Sequence, residues 1–204
     1  MALSEHYPAE TVIKAAGVLH NACLDLTRGQ FLDMSYEQRN DLKVEDYWPM
    51  IAGKTAALLS ACCHIGSILG GADEGAQETY RSFGYALGQA FQVQDDILGI
   101  WGDEAITGKS AASDLLEGKK SLPVLFGLGR GGQFAARWAR GPIRPDEVEE
   151  LARLLASEGS YEYTYALSEQ MTTLALNNLR EADPQGEAGE ALFELANKLI
   201  KREQ

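Results

Sequence analysis

Three cysteines, three histidines and six prolines are few for 204 residues, and each scarcity removes a class of protein. Cys23, Cys62 and Cys63 are odd in number, with the latter two adjacent in an apolar run. They build no disulfide framework and read as reduced core residues of a cytoplasmic protein. His6, His20 and His64 are scattered without metal-ligand spacing, which argues against zinc. No Gly-x-Ser-x-Gly or similar nucleophile motif occurs, so covalent catalysis has no candidate. Runs of β-branched residues are rare and no strand-type alternation persists, which points to an all-α helical bundle. No apolar stretch is read as long enough to span a bilayer, and no basic region followed by a hydrophobic stretch opens the chain. The expectation is therefore no integral membrane segment. Basic residues are outnumbered, 18 Lys and Arg against 30 Asp and Glu, for a formal net charge of −12. Such a surface argues against nucleic acid, whose phosphates demand a basic one.

What is present is length enough for one domain with a core, and periodicity. Apolar spacing and the absence of proline predict helices over Ala9–Met34, Tyr47–Leu69, Gln77–Trp101, Leu122–Leu128, Asp146–Ser157, Tyr161–Glu181 and Gly186–Arg202. Gly70-Gly71 and Gly159 read as helix stops, and Pro145 before Asp146-Glu147 suits a first turn. Gly129–Gly132 reads as a turn. It is a poor phosphate loop, because no strand precedes it and no Lys-Ser/Thr follows. Tyr161, Tyr163 and Tyr165 spread around a helix start and are expected to pack against neighbours.

The chemistry concentrates in Phe91–Ser121. Gln92, Asp95, Asp96 and Gly99 recur at i, i+3, i+4 and i+7 and share one helix face. Adjacent carboxylates with no basic residue within a turn repel each other unless a cation sits between them. They are set among Phe91, Val93, Ile97 and Ile100, where buried charges need partners. Hard oxygen ligands of this kind suit Mg²⁺, an ion usually shared with substrate phosphates. Lys109, Lys119 and Lys120 supply the opposite charge. The implied ligand is a magnesium-bound diphosphate or polyphosphate.

In these residues the sequence resembles the trans-type isoprenyl diphosphate synthases. That family's second aspartate-rich motif runs Phe-Gln-x-x-Asp-Asp-x-x-Asp, then Gly-Asp, Gly-Lys, Asp and Lys-x-Ser. It is matched without gaps by Phe91, Gln92, Asp95, Asp96, Gly102, Asp103, Gly108, Lys109, Asp114, Lys119 and Ser121. Gly29, Gln30 and Asp33 match its Gly-Gln-x-x-Asp, while Lys54 and Thr55 match its Lys-Thr pair. The resemblance implies a helical bundle of the isoprenoid synthase type, condensing isopentenyl diphosphate with an allylic diphosphate with the aid of Mg²⁺. It implies Asp95, Asp96, Asp114 and Asp33 as metal residues. Lys54, Lys109 and Gln92 would be catalytic, and Thr55, Lys119 and Gln30 would join them in binding substrate.

Two departures qualify it. The third aspartate of the motif is Gly99, as in bacterial geranylgeranyl-type members of the family, which removes one metal ligand or water-holding group. The family's first aspartate-rich motif, flanked by arginines, has no counterpart between Met1 and Asn40. The chain therefore looks like the C-terminal part of such an enzyme, with N-terminal helices missing and the family's basic end at Lys198, Lys201 and Arg202. The expectations are that the site residues converge on one cavity and that the isolated chain is inactive. Faces carrying Val12, Ala16 and Leu19, and Leu58, Leu59 and Ile65, should be uncovered, so the chain should form a homodimer or be held by a complementing N-terminal segment. The alternative reading is a non-catalytic or regulatory synthase-like subunit acting with a complete partner. Product chain length is set by residues the sequence does not contain.

Overall fold

Asp73 opens the central helix of the protein: its Oδ1 accepts a hydrogen bond from the Ala76 backbone N–H at 2.9 Å, satisfying one of the orphan donors of the first turn. The helix then runs without proline to Trp101. The computed structural model describes residues 2–102 and 112–200. After a short 3₁₀ turn at Ala2–Glu5, the chain forms α1 (Ala9–Tyr36), α2 (Val44–Ile51), a π-helical turn (Ala52–Ala56), α3 (Ala57–Leu69) and α4 (Glu74–Trp101). There follow α5 (Ser113–Leu116), α6 (Leu122–Arg130), α7 (Gln133–Trp138), α8 (Val148–Ser157), α9 (Ser160–Ala182) and α10 (Gly186–Ile200). No strand occurs among the described residues. The fold is the all-α bundle that the periodicity predicts.

α4 is the spine, and its successive faces enter three apolar clusters. Phe83, Ala86, Leu87 and Ala90 pack with Ala175 and Leu179 of α9 and Ala196 and Ile200 of α10. One turn on, Val93 joins Tyr36, Tyr47, Ile51, Leu122 and Leu125. Ile100 closes a third cluster with Leu115, Val124, Phe134 and Leu155.

On the other side of α4, α1 crosses the π-helical turn with backbones almost touching. A Cβ on Gly29 would lie 2.0 Å from the Lys54 nitrogen, and one on Gly53 would lie 2.5 Å from the Asp25 carbonyl oxygen. Only glycine on both sides allows this approach. The crossing carries Asp33 and Lys54 toward each other.

Several boundaries differ from the periodicity, for local reasons. α2 begins at Val44 rather than Tyr47, because Asp46 Oδ2 accepts from the Lys43 backbone N–H at 2.8 Å and caps the first turn. α8 begins at Val148 rather than Asp146. Glu147 is drawn to Arg137 instead, accepting from its Nε at 2.9 Å and Nη2 at 2.7 Å, so residues 145–147 form a turn. α5 and α7, of four and six residues, are too short to leave a periodic signature. Gly70-Gly71 and Gly159 do end helices, with Gly71 and Gly159 at positive φ. The last two residues of the helix expected to reach Arg202 lie outside the described residues.

The cysteines correct an expectation: Cys23 and Cys62 are exposed and Cys63 is only partly buried, so they are not core residues. Helical periodicity turns Cys62 outward although the run around it is apolar. The 26 helical residues from Val44 to Leu69, with a hydropathy of 1.3, also correct the reading that no stretch reaches membrane-spanning length. That segment packs against α1 and α4, and its Lys54 pairs with Asp33 of α1. The tyrosines pack as expected: Tyr163 stacks on Phe126 at 4.2 Å and Tyr161 meets Trp101 edge-on at 5.1 Å.

Candidate active site

Lys54 and Thr55 are neighbours in the π-helical turn, and they reach two different helices. Lys54 Nζ donates to Asp33 Oδ2 of α1 at 2.5 Å, with each side chain about a third exposed. Thr55 Oγ1 donates to Gln92 Oε1 of α4 at 2.7 Å. Gln92 Nε2 then donates to Asp96 Oδ1 at 3.0 Å, and Asp96 Oδ2 accepts from the Leu122 backbone N–H at 2.9 Å. A polar chain thus runs from the π-helical turn across α4 to the N-terminus of α6. π-Helical turns inside longer helices are frequent at functional sites.

The chain decides the orientation of Gln92, because its amide oxygen faces the hydroxyl and its nitrogen the carboxylate. It also decides the character of Asp96. This side chain is buried, and both of its oxygens are engaged. Burial pushes its carboxyl up to about 7, against the lowering effect of the Leu122 and Gln92 bonds, and the nearby Asp114 charge adds to the rise. By contrast Asp95, its neighbour in sequence, is half-buried.

Asp114 on α5 is buried, 4 % exposed, and accepts from Lys119 Nζ at 3.0 Å. Lys119 also pairs with Glu117 at 2.9 Å. Desolvation works against the Lys119 ammonium, but the two carboxylates outweigh it and hold its pKa above the ordinary value. Lys120 lies elsewhere. Its Nζ donates to the backbone oxygens of Tyr36 and Glu37 at 2.8 and 2.9 Å, closing the C-terminal end of α1. The sequence pattern groups it with the anion-facing lysines; its two carbonyl partners make it a helix cap.

The structure therefore joins Asp33 to Lys54, Thr55 to Gln92 and Asp96, and Asp114 to Lys119. Gln30 is exposed on α1, one turn before Asp33. Lys109, with Gly108 and Asp103, lies outside the described residues. One member of the cluster has no signal in the sequence: Tyr47. It is fully buried beside Asp96, and its hydroxyl makes no hydrogen bond of good geometry. Burial first, and then the Asp96 charge, raise its pKa well above that of a free tyrosine, so it stays a neutral donor facing the acidic groups. A tyrosine in an amphipathic helix looks like any other core residue.

Among the described residues no three His, Cys, Asp or Glu side chains form a closed metal cage. Half-buried and buried carboxylates beside lysines suit a different arrangement. Mg²⁺ is commonly bound through one or two carboxylates, with waters and substrate phosphates completing its six positions. The donors present, all oxygen, fit that shared mode.

Carboxylate, amide and ammonium groups from separate helices of one bundle are thus bonded to one another. The profile of the Polyprenyl synthetase family matches residues 1–155, and the chain belongs to that family. It is 34% identical over 175 residues to a geranylgeranyl diphosphate synthase of Mycobacterium tuberculosis, covering 83% of this chain and 50% of the relative. It is likewise 34% identical over 200 residues to a geranylgeranyl diphosphate synthase of Sulfolobus acidocaldarius, covering 96% and 61%. Among solved structures, a polyprenyl synthetase from Streptomyces coelicolor A3(2) superposes with a TM-score of 0.86 at 35% identity, over 97% of this chain and 62% of that one. The chain thus spans about half to three-fifths of the length of these relatives.

Proposed function

We propose that the chain supplies the part of a prenyltransferase site that grips a diphosphate through lysines and Mg²⁺. In that reaction the carbon–oxygen bond of an allylic diphosphate breaks, and the double bond of isopentenyl diphosphate attacks the resulting cation. One proton then leaves, and free diphosphate and a chain longer by one isoprene unit are released. The observation that carries this reading is the bonded series Thr55–Gln92–Asp96–Leu122 beside the Lys54–Asp33 pair, because it holds cationic and anionic groups on neighbouring residues with defined orientations.

Lys54 donates to a diphosphate oxygen, and Asp33 keeps its side chain aimed. Lys119, held by Asp114 and Glu117, and Lys109 add positive charge for the same leaving group. Gln92, fixed at both ends of its amide, positions the polar rim against which the allylic carbon ionises. Asp95, Asp114, Asp33 and Asp96 would hold Mg²⁺ by exchanging partners they have now for the ion. Bound Mg²⁺ stabilises the charge that develops on the diphosphate. The apolar side chains lining the helices keep water from the cation. On this reading Gln30 contacts substrate at the cleft edge.

A second copy or a segment from another chain completes the assembly. The support is the outer face of α1, where Ile13, Phe31 and Met34 are 71, 70 and 61 % exposed, and the adjoining 660 Å³ groove between α1, α3 and α4. A patch of this kind is rare on a monomer. Of the faces expected to be uncovered, Leu19 and Leu58 are exposed, whereas Leu59 packs into the α4–α9 cluster.

The test is calorimetric titration of the chain with inorganic diphosphate and with an unreactive thio-analogue of an allylic diphosphate, each with and without Mg²⁺. Mg²⁺-dependent binding that is lost in Lys54→Met is the expected result; binding that ignores both the metal and Lys54 overturns the reading. Incorporation of radiolabelled isopentenyl diphosphate by the chain, alone and with a polypeptide carrying the arginine-flanked aspartate motif, then decides between a catalytic and a non-catalytic subunit.

A further inference from the structure

Lys54 and Lys119 pair with carboxylates, whereas Lys120 forms no ion pair among the described residues. Its Nζ donates instead to the backbone oxygens of Tyr36 and Glu37, the last residue of α1 and its C-cap. Carbonyls in the last turn of a helix lack the donors of its interior and lie at the negative end of its dipole, so a cation is favoured there. Asp33, which holds Lys54, is one helical turn before Tyr36. The family pattern Lys-x-Ser leaves position 120 open, so the resemblance assigns this lysine nothing.

The bonds around it close a ring. From Lys120 the chain runs two residues to Leu122, whose N–H donates to Asp96 Oδ2. Asp96 Oδ1 accepts from Gln92, and Gln92 in turn accepts from Thr55, the neighbour of Lys54. Lys54 pairs with Asp33, and α1 carries the path from Asp33 to Tyr36 and back to Lys120. Among the described residues, α1 is hydrogen-bonded to the segments after α4 through Lys120 alone. Apolar packing ties the same elements, since Tyr36 shares a cluster with Leu122 and Leu125. That contact is non-directional and holds the elements together without fixing their angle. Two hydrogen bonds from one ammonium do fix it.

We infer that Lys120 is a positioning residue: by closing this ring it sets the last turn of α1, and through Asp33 the aim of the Lys54 ammonium, relative to the start of α6. The consequence for ligand binding rests on the prenyltransferase reading, in which Lys54 and Lys119 meet one diphosphate; the ring itself does not.

The experiment uses the full chain as parent, Lys120→Met, Lys120→Arg, Lys54→Met and the double methionine variant. Calorimetric titration with inorganic diphosphate and Mg²⁺ reads the coupling. Lys120→Met keeps the apolar stem and loses the donors, and should weaken binding about tenfold. Lys54→Met should do the same, and the double variant should also be weaker by only about tenfold, because Lys120 acts through Lys54. A double variant weaker by about a hundredfold, the product of independent effects, overturns the proposal. So does parent-like binding by Lys120→Met. Lys120→Arg still has donors for both carbonyls and should bind like the parent; an arginine variant as weak as the methionine one overturns the donor role. Hydrogen exchange without ligand tests the ring. Lys120→Met should speed exchange in residues 33–37 and, across the ring, in residues 52–56. Faster exchange confined to the end of α1 would make Lys120 a cap only and overturns the proposal. If Lys120→Met does not fold, Lys120→Gln, one bond shorter and uncharged, takes its place in every arm. A parent that binds no diphosphate overturns the prenyltransferase reading, and the exchange measurement then decides the ring by itself.

Discussion

The two halves of α4 bury similar fractions of their surface by opposite means. From Phe83 to Ala90 the helix meets α9 and α10 through apolar groups, and its buried atoms are satisfied by area and close packing. From Phe91 to Ile100 the same periodicity is interrupted by Gln92, Asp95 and Asp96, and burial of Gln92 and Asp96 depends on Thr55 and Leu122 arriving from other segments. The dry half tolerates change in proportion to volume. The polar half responds to the loss of a partner, because an unpaired buried charge is costlier than a small void.

The largest expected effect lies in the dry half. Phe83→Ala, at a fully buried site, should reduce unfolding free energy by about 3–5 kcal/mol in urea. In chain that remains folded, Mg²⁺-dependent diphosphate binding should be unchanged. A loss of binding at full folding would erase the distinction between the halves.

Asp96 tests the polar half through pH. Its unfolded carboxyl titrates at about 3.9 and its folded one at about 7. The folded-state pKa is raised, so the group's contribution to stability is fully present below about pH 4. It is lost as pH rises through 7, since the unfolded chain gives up its proton first. In metal-free urea melts, the stability of the parent relative to Asp96→Asn should fall by about 2–4 kcal/mol between pH 4 and pH 8. A difference that stays flat across this window would mean that the buried carboxyl is not titrating there.

Gly29→Ala comes next, at roughly 2–3 kcal/mol of lost stability, since its methyl group would meet the Lys54 backbone. The same variant should weaken diphosphate binding by pushing the π-helical turn away from α1. Lys54→Met should leave the melting midpoint nearly in place, because the pair is a third exposed. It should weaken Mg²⁺–diphosphate affinity about tenfold in calorimetry. The smallest effect belongs to the Arg39–Asp41 surface pair: Arg39→Ala should melt like the parent, and a clear shift would show a role for the α1–α2 loop that its solvation does not suggest.

Much of the site was legible because helical motifs are local. Gln92, Asp95, Asp96 and Gly99 share a face by periodicity alone, and the gap-free spacing from Phe91 to Ser121 points to the family without any tertiary contact. Tyr47 and the capping role of Lys120 were not legible. Tyr47 carries no pattern apart from its apolar helix, and Lys120 sits in a run of lysines whose members differ only in what approaches them across 84 residues of sequence. The exposed cysteines failed for the same reason: an apolar run does not reveal which of its sides another helix will cover.

By itself the sequence determined the helical class, most helix boundaries, the acidic surface and the family, since these depend on repeat length, capping residues and spacing within one segment. Tertiary structure alone decided which of the adjacent carboxylates is buried and which half-buried, that Lys54 pairs with Asp33, and that Asp114 lies beside Gly99. The physical reason is that a backbone periodicity orients a side chain on its own helix. Its proton affinity and partners come from groups that reach it only when helices cross, and here that crossing is set by Gly29 against Gly53.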